Sequence, residues 1–409
     1  MLTCLTEDNH VSAFAQVMPA SRQPAQDVLA KVRAIGPSIA ARSAEFEEKR
    51  RIPPDVIEQL KAAQVFRMAT PRVYGGLQLD YPAILDVLRE LAFIDGAVGW
   101  VAMLGVGHAP HLALLPRKTL DTCYAKPDVI LGGCAAPFGT GIVVPGGYRV
   151  SGRWPFASGC QSATWLFAGF TAMRDGKSVI SENGKPVIRH AVLPAGAWTI
   201  DDTWHAAGLK GTGSNHIRLD DVFVPEFNTF AYTDAPSING RLYSSPLHMI
   251  PLLHCAPALG IAEAALRDLV ALAMSGKRQL LAPDAMQDSP LFHMELGRLE
   301  ADVKAVRATS TAQANALWHE ALAGDMVPSN SKMLAACFQT ATWVTNACVR
   351  VVDECYRLGG GSALYASSPL QRRLRDIHTA SQHAAVQPAS YQRCGALLLG
   401  HKVTNPVID

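Results

Sequence analysis

The apolar residues of this chain change their spacing twice, and that change limits the fold more than any single motif. From about Ala25 to Tyr124 they recur at helical intervals, in "AQDVLAKVRAIGPSIAARSAEFEEKR", "PPDVIEQLKAAQVFRM" and "YPAILDVLRELAFIDGAVGWVAMLGVGHAPHLALL". From about Asp128 to Thr233 the runs are short and β-branched or aromatic, with turn signals between them: "VILGGCA", "GTGIVVPGGYRVSGRWPFASG", "ATWLFAGFTAM", "RHAVLPAGAWTI", "HIRLDDVFVPE". Beyond Leu242 the helical period returns in four long stretches, the last running through "SPLQRRLRDIHTASQHAAVQPASYQRCGALLLG". The spacing predicts an α+β chain in three parts. Residues 25–125 form an N-terminal α-helical domain, 126–235 a middle β domain built as a small barrel or sandwich, and 236–409 a C-terminal four-helix bundle, with 1–24 a flexible N-terminus. Local signals agree. Pro53 and the Asp80-Tyr81-Pro82 step mark helix starts, "TPRVYGGLQLD" reads as a loop, and "VPGGYRVSG" reads as a hairpin with Gly146 and Gly147 at its turn.

Of the 409 residues, 49% are hydrophobic and only 18% charged, which predicts a large buried fraction with further burial between subunits, hence a homo-oligomer. A formal charge of +2 without any Lys/Arg block argues against nucleic acid and anionic membrane as partners. The nine cysteines show no C-x-x-C pair and no zinc-ligand spacing, so they read as reduced thiols of a cytoplasmic protein without a metal site. The first residues lack a basic region followed by an apolar one, and no apolar run is expected to reach the ~18 to 20 residues that span a bilayer.

Several familiar site motifs are absent: no G-x-G-x-x-G after a strand, no G-x-x-x-x-G-K-[ST], no G-x-S-x-G and no H-E-x-x-H. What remains is a set of weaker constellations. In "GRWPFASGC", Trp154, Phe156 and Ser158 fall at period two on one strand face, where they would make a stacking wall with one hydroxyl or, equally well, ordinary core. "GLKGTGSNHIRLDDVFVP" joins a Gly/Ser loop to a strand, with Ser214 able to meet a ligand edge. Trp100 and His108 lie eight residues apart, roughly 80° around a continuous helix at ~100° per residue, and His111 follows. A histidine in such a stretch is more often a satisfied core residue than a catalyst. His378 and His383, five apart, do not share a helix face, so at most one of them faces a given pocket. The preceding "GGGS" permits close backbone approach or simply ends a helix.

Four segments, "PRVYGGLQLDYPAILDVLRELAFIDGAVGWVAMLG", "GGYRVSGRWPFASGCQSATW", "DTWHAAGLKGTGSNHIRLDDVFVPE" and "GGGSALYASSPLQRRLRDIHTASQHAAVQP", resemble the acyl-CoA dehydrogenase superfamily in the same order. The likeness is closer to its oxygenase branch, the group D two-component flavin-dependent monooxygenases similar to p-hydroxyphenylacetate hydroxylase, the hydroxysteroid-catabolic hydroxylase and dibenzothiophene monooxygenase. Dehydrogenases of this pattern follow the "RD" of the terminal segment with a catalytic glutamate, and that slot here falls at Ala384. Glu263 and Glu354 keep a dehydrogenase acting on acyl thioesters open as a second reading, and a non-catalytic scaffold is a third.

The resemblance implies reduced flavin, FMN before FAD, reacting with O2 to a C4a-hydroperoxyflavin that hydroxylates an aromatic or similarly electron-rich small molecule. It implies His383 and Ser158 as catalytic residues, with His378 mainly structural. Trp154, Phe156, Ser158, Ser214, Arg278, Gly360, Gly361 and Ser362 would hold the cofactor, Arg278 and the glycine loop reaching it from neighbouring subunits of a homotetramer. Trp100, His108 and Cys134 would line the substrate. A separate NAD(P)H-dependent flavin reductase would be the partner.

Overall fold

The computed structural model describes residues 22–324 and 330–401. Most of the segment expected to be a flexible N-terminus therefore lies outside the described residues. Six helices come first: α1 (Arg22–Ala40), α2 (Ser43–Lys49), α3 (Pro54–Ala62), α4 (Tyr81–Ile94), α5 (Gly96–Gly107) and α6 (Arg117–Cys123). Pro54 stands at the first position of α3, where a missing N–H costs no hydrogen bond, and the Asp95 carboxylate caps α5 by accepting from the N–H groups of Ala97 and Val98, both at 3.0 Å.

The strands are β1 (Leu131–Val144), β2 (Gly147–Trp154), β3 (Trp165–Arg174), β4 (Lys177–Ser178), β5 (Ile188–Pro194), β6 (Thr199–Asp201), β7 (His216–Pro225) and β8 (Thr229–Phe230). They form one sheet in the order β6-β7-β2-β1-β3-β5-β8, with β4 on β3. Only β1 and β3 run parallel, and β1 slips register between Cys134 and Gly139. The hairpin turn sits one residue earlier than the glycine pair suggests. Gly146 takes the left-handed φ of 79°, whereas Gly147 already pairs with Val144 as the first residue of β2.

Helices resume with α7 (Pro246–Leu253), α8 (Cys255–Met274), α9 (Pro290–Ala323) and α10 (Ser331–Gly359), followed by α11 (Pro369–Ala380) and α12 (Ala389–Leu398). The last of the four expected stretches is thus broken. Its helix stops at Ala380, a single 3-10 turn occupies Ala384–Val386, and Pro388 precedes the restart. His383 lies in that break with extended backbone (φ −65°, ψ 139°), so helical face arguments do not apply to it.

Two stretches, Gly96–Leu114 and Pro246–Met274, are long and apolar enough to cross a bilayer, contrary to expectation, but 94% and 89% of their apolar windows are buried within the fold. Their apolarity serves core packing. The helices share one continuous core that includes Phe167, Val192 and Phe230 of the sheet, whereas Val150, Trp154, Phe170, Trp198 and Ile217 make a separate core within the sheet region. The seam between sheet and bundle is close. A Cβ on Gly208 would overlap the Arg375 carbonyl, and the next amide, Leu209 N–H, donates to Asp376 at 2.6 Å. This contact fixes the Gly/Ser loop against the helix that leads to His383.

Candidate active site

Two loops of the sheet region clasp each other. Ala157 N–H donates to the Asn215 carbonyl at 3.0 Å and Gly159 N–H to the Thr212 carbonyl at 2.8 Å, with Gly159 and Gly213 supplying left-handed backbone. The clasp brings buried hydroxyls together: Ser158 Oγ lies 2.7 Å from Ser214 Oγ, and Ser214 Oγ 2.6 Å from Thr212 Oγ1. The direction of these bonds follows from their ends. Thr212 donates to the Leu209 carbonyl at 2.8 Å, and Trp100 Nε1–H donates to Ser158 at 3.2 Å. Thr212 therefore accepts from Ser214, and Ser214 accepts from Ser158. Ser158 is left with a lone pair and no free proton.

Trp100 joins this hydroxyl chain to a set of imidazoles. Its ring meets His254 edge-on at 5.5 Å and His383 at 5.8 Å, and the two imidazoles lie 4.1 Å apart at 30°. Each ring's protonation follows from its backbone partner. The Ala385 N–H donates to Nδ1 of His383 at 3.2 Å, so a neutral His383 carries its proton on Nε2, which no described residue engages. In His254, Nδ1 lies 3.0 Å from the Ile250 carbonyl and must carry the proton, leaving a bare, buried Nε2. Burial keeps both rings neutral: it pushes His254 down to about 4 and His383 well below its ordinary range, and in His383 the neighbouring His254 and His108 add to the effect.

The structure brings together only part of the residue set expected from the sequence. Trp100, Ser158, Ser214 and His383 converge. His108 caps the end of α5, its Nδ1 is 3.2 Å from the Leu131 carbonyl, and burial lowers it to about 4. Cys134 sits partly buried at the register slip of β1. His378 is half exposed and pairs with Asp353 at 2.7 Å.

Trp154 departs from expectation. It is fully buried in the sheet core, donates to the Gly169 carbonyl at 2.6 Å and meets Trp198 edge-on. β2 ends at Trp154, and Phe156 has a φ of +62° with 65% of its surface exposed beside Trp204 and His216. The period-two alignment of Trp154, Phe156 and Ser158 therefore does not exist, because the strand has already become a turn.

Arg278, exposed, donates to the Ala282 carbonyl at 2.7 Å. Gly360, with φ 55°, leads into Gly361 and Ser362, and Gln279 ties the two loops by donating to the Leu358 carbonyl. Within one chain both loops sit together at the end of the bundle.

His254 escaped the sequence reading. The signal was present in "HMIPLLHCAPALG", where a titratable ring interrupts an apolar run beside a proline. Glu263, one of the two carboxylates that kept the dehydrogenase reading open, is held by Arg89 and Arg307, and Glu354 by Arg357. Among the described residues no group of three His, Cys, Asp or Glu side chains could hold a metal ion.

The N-terminal domain pattern of acyl-CoA dehydrogenases matches residues 25–114 and the C-terminal domain pattern residues 252–388. The chain is 32% identical over 362 residues to indole-3-acetate monooxygenase of Pseudomonas putida, spanning 88% of this chain and 90% of that protein. It is 30% identical over 386 residues to the oxygenase component of an FADH2-dependent resorcinol hydroxylase of Rhizobium sp., spanning 90% and 92%. The crystal structure of 3-HSA hydroxylase from Rhodococcus sp. superimposes with a TM-score of 0.86 at 28% identity, covering 93% of this chain and 99% of that one.

Proposed function

The chain belongs to the acyl-CoA dehydrogenase family, in its flavin-dependent monooxygenase branch, and we propose that it is the oxygenase component of a two-component hydroxylase acting on a small aromatic molecule. The observation that carries this reading is the meeting of Ser158, its proton committed to Ser214, with neutral His383 and His254 around Trp100. No carboxylate stands at the dehydrogenase position, which is Ala384, and the two glutamates of the dehydrogenase reading, Glu263 and Glu354, are held in ion pairs.

These residues fit a reduced flavin. The reduced ring presents an N–H where the oxidised ring presents a lone pair, and Ser158 offers an acceptor because its own proton is committed to Ser214. His383 offers an Nε2–H donor. When bound, reduced flavin supplies the electrons that activate O2 for transfer of one oxygen atom. The protein's residues would orient the two reactants, exclude water through the buried Trp100 and His254, and manage protons at His383.

FMN was expected before FAD. The resemblance to an FADH2-dependent resorcinol hydroxylase favours FADH2 instead. A separate NAD(P)H-dependent reductase completes the proposal, supported by the oxygenase-component name of that relative. So does a homotetramer. Leu280, Leu281, Leu364 and Tyr365 are exposed beside Arg278 and Gly360–Ser362, a surface that a neighbouring subunit would cover, bringing Arg278 and the glycine loop to its flavin. The eight free thiols among the described residues support a cytoplasmic location.

The test is incubation with chemically reduced FAD or FMN, isotopically labelled O2 and a panel of phenols, indoles and acyl thioesters. One labelled oxygen atom per product molecule from a phenol or indole is expected. Acyl oxidation without label would overturn the proposal.

A further inference from the structure

His254 has an unpartnered acceptor in a buried place. His254 is 3% exposed, its Nδ1–H is fixed on the Ile250 carbonyl, and no described residue donates to Nε2. Such an atom costs about 1–3 kcal/mol if it stays unpaired, so it calls for a donor from outside the chain. The donor is not His383. The two rings are tilted by 30° with their centroids 4.1 Å apart, too close for the in-plane N–H···N bond between imidazoles, which would hold the centroids roughly 5 Å apart or more. His111 Nε2 is also buried and bare, but the rings it meets are His108, Phe167, Phe230 and Tyr232. His254 instead meets Trp100, whose indole N–H donates to Ser158.

The proton positions also separate the two imidazoles by role. His383 already carries its proton on Nε2, and its Nδ1 is taken by the Ala385 N–H, so it can donate but has no free lone pair. Resting on the monooxygenase reading above, we propose that His254, not His383, accepts the proton of the substrate, and that the substrate is therefore an aromatic bearing a hydroxyl or ring N–H. The other titratable groups acting around this ring are His383, from the break after α11, and His108, from the end of α5; both are neutral.

For a phenol the step balances as follows. The O–H bond breaks and its proton joins the Nε2 lone pair of His254. The electron pair left on oxygen moves into the ring, and a ring carbon attacks the transferable oxygen atom supplied by reduced flavin and O2. That carbon then loses its hydrogen as a proton while His254 returns its proton to the phenolic oxygen; the reduced flavin would supply the electron pair and two hydrogens and be left oxidised, so that the second oxygen atom leaves as water. Burial makes His254 a weak base, so the proton transfers as the new C–O bond forms and not before.

The experiment uses His254→Asn, which keeps a donor for the Ile250 carbonyl and loses the Nε2 acceptor, with His254→Gln, which replaces that acceptor by an amide oxygen unable to take a proton. Equilibrium binding of a phenol and of its methyl ether to the full-length protein reports the acceptor without any turnover. The wild type should favour the phenol on the order of tenfold, His254→Gln should keep part of that preference and His254→Asn should lose it. In turnover, His254→Asn should lose roughly 100-fold in hydroxylation of a weakly acidic phenol and much less with a nitrophenol already ionised at the assay pH. Equal binding of phenol and ether by the wild type, or an equal loss by His254→Asn on both substrates, overturns the inference. Lack of oxygen insertion by the wild type alongside an intact phenol preference instead overturns the monooxygenase reading.

Discussion

The hydroxyl chain and the imidazole pair meet at Trp100 and are built on opposite plans. In the chain from Ser158 through Ser214 and Thr212 to the Leu209 carbonyl, each proton has an acceptor within the protein, so the set is fixed in one direction. In the imidazole pair only the Nδ1 atoms are engaged by backbone, and both Nε2 atoms remain available. The first arrangement suits holding a ring in one redox state, since it cannot donate without rearranging. The second suits moving a proton, since it has both a free N–H and a free lone pair. The difference comes from the backbone: clasped loops surround the hydroxyls with partners, whereas a helix junction and a broken helix each satisfy one side of an imidazole.

The largest expected difference between the two is in acid. His108 and His254 are lowered to about 4 in the folded protein from an ordinary value near 6.5, so the unfolded chain takes up protons first as the pH falls. Their contribution to stability is full above ~6.5, is lost as the pH drops towards 4, and amounts to roughly 3 kcal/mol for each ring. Asp376 opposes this. Burial raises it to about 7, so its contribution is greatest below ~4 and is lost as the pH rises to 7. Two rings outweigh one carboxyl, and urea midpoints should fall between pH 7 and pH 5. Unchanged midpoints would mean that these imidazoles are not held neutral by burial.

Next in size is His383→Ala, which removes the free N–H but leaves the hydroxyl chain intact. Product formation should fall on the order of 100-fold, about 2.7 kcal/mol in the barrier, while the affinity for reduced flavin changes much less. A loss confined to flavin affinity would assign His383 to cofactor holding and erase the division of labour. Smaller again is Ser214→Ala. It removes the acceptor of the Ser158 proton, so Ser158 gains a free O–H, and the preference for reduced over oxidised flavin should shrink about tenfold. Dissociation constants for both redox states measure it, and an unchanged ratio would show that the chain's direction does not matter.

Much of this arrangement was legible in the sequence, for reasons that individual residues make clear. The succession of helices, strands and helices followed from periodicity, because each element buries one face. Ser158 and His383 were identified through motif resemblance, and the structure puts both at the Trp100 junction. Trp154 was misread because period two was carried past the point where the strand ends, and the positive φ of Phe156 leaves no trace in the letters. His254 was overlooked because its meaning depends on a ring more than a hundred positions away, a contact made only when α8 packs against the terminal segment. The proton positions were illegible altogether, since they are set by the Ile250 carbonyl and the Ala385 amide through tertiary geometry.

The smallest effect belongs to His378, and it sharpens the contrast with the histidine five residues later. His378 Nε2–H donates to the Asp353 carboxylate on the surface, with side chains 50% and 44% exposed, and water competes for both partners. Exposed pairs of this kind contribute about 0–1 kcal/mol, less at high salt. His378→Asn should therefore move the unfolding midpoint by no more than that and leave turnover and its pH profile unchanged. The two histidines share a segment and a residue type, but the helix ends between them at Ala380, so the first remains on a solvated face and the second turns into the protein. If His378→Asn instead lowered turnover as His383→Ala should, burial and backbone engagement could not be what makes an imidazole functional in this segment, and the roles drawn from proton positions would fall for His254 as well.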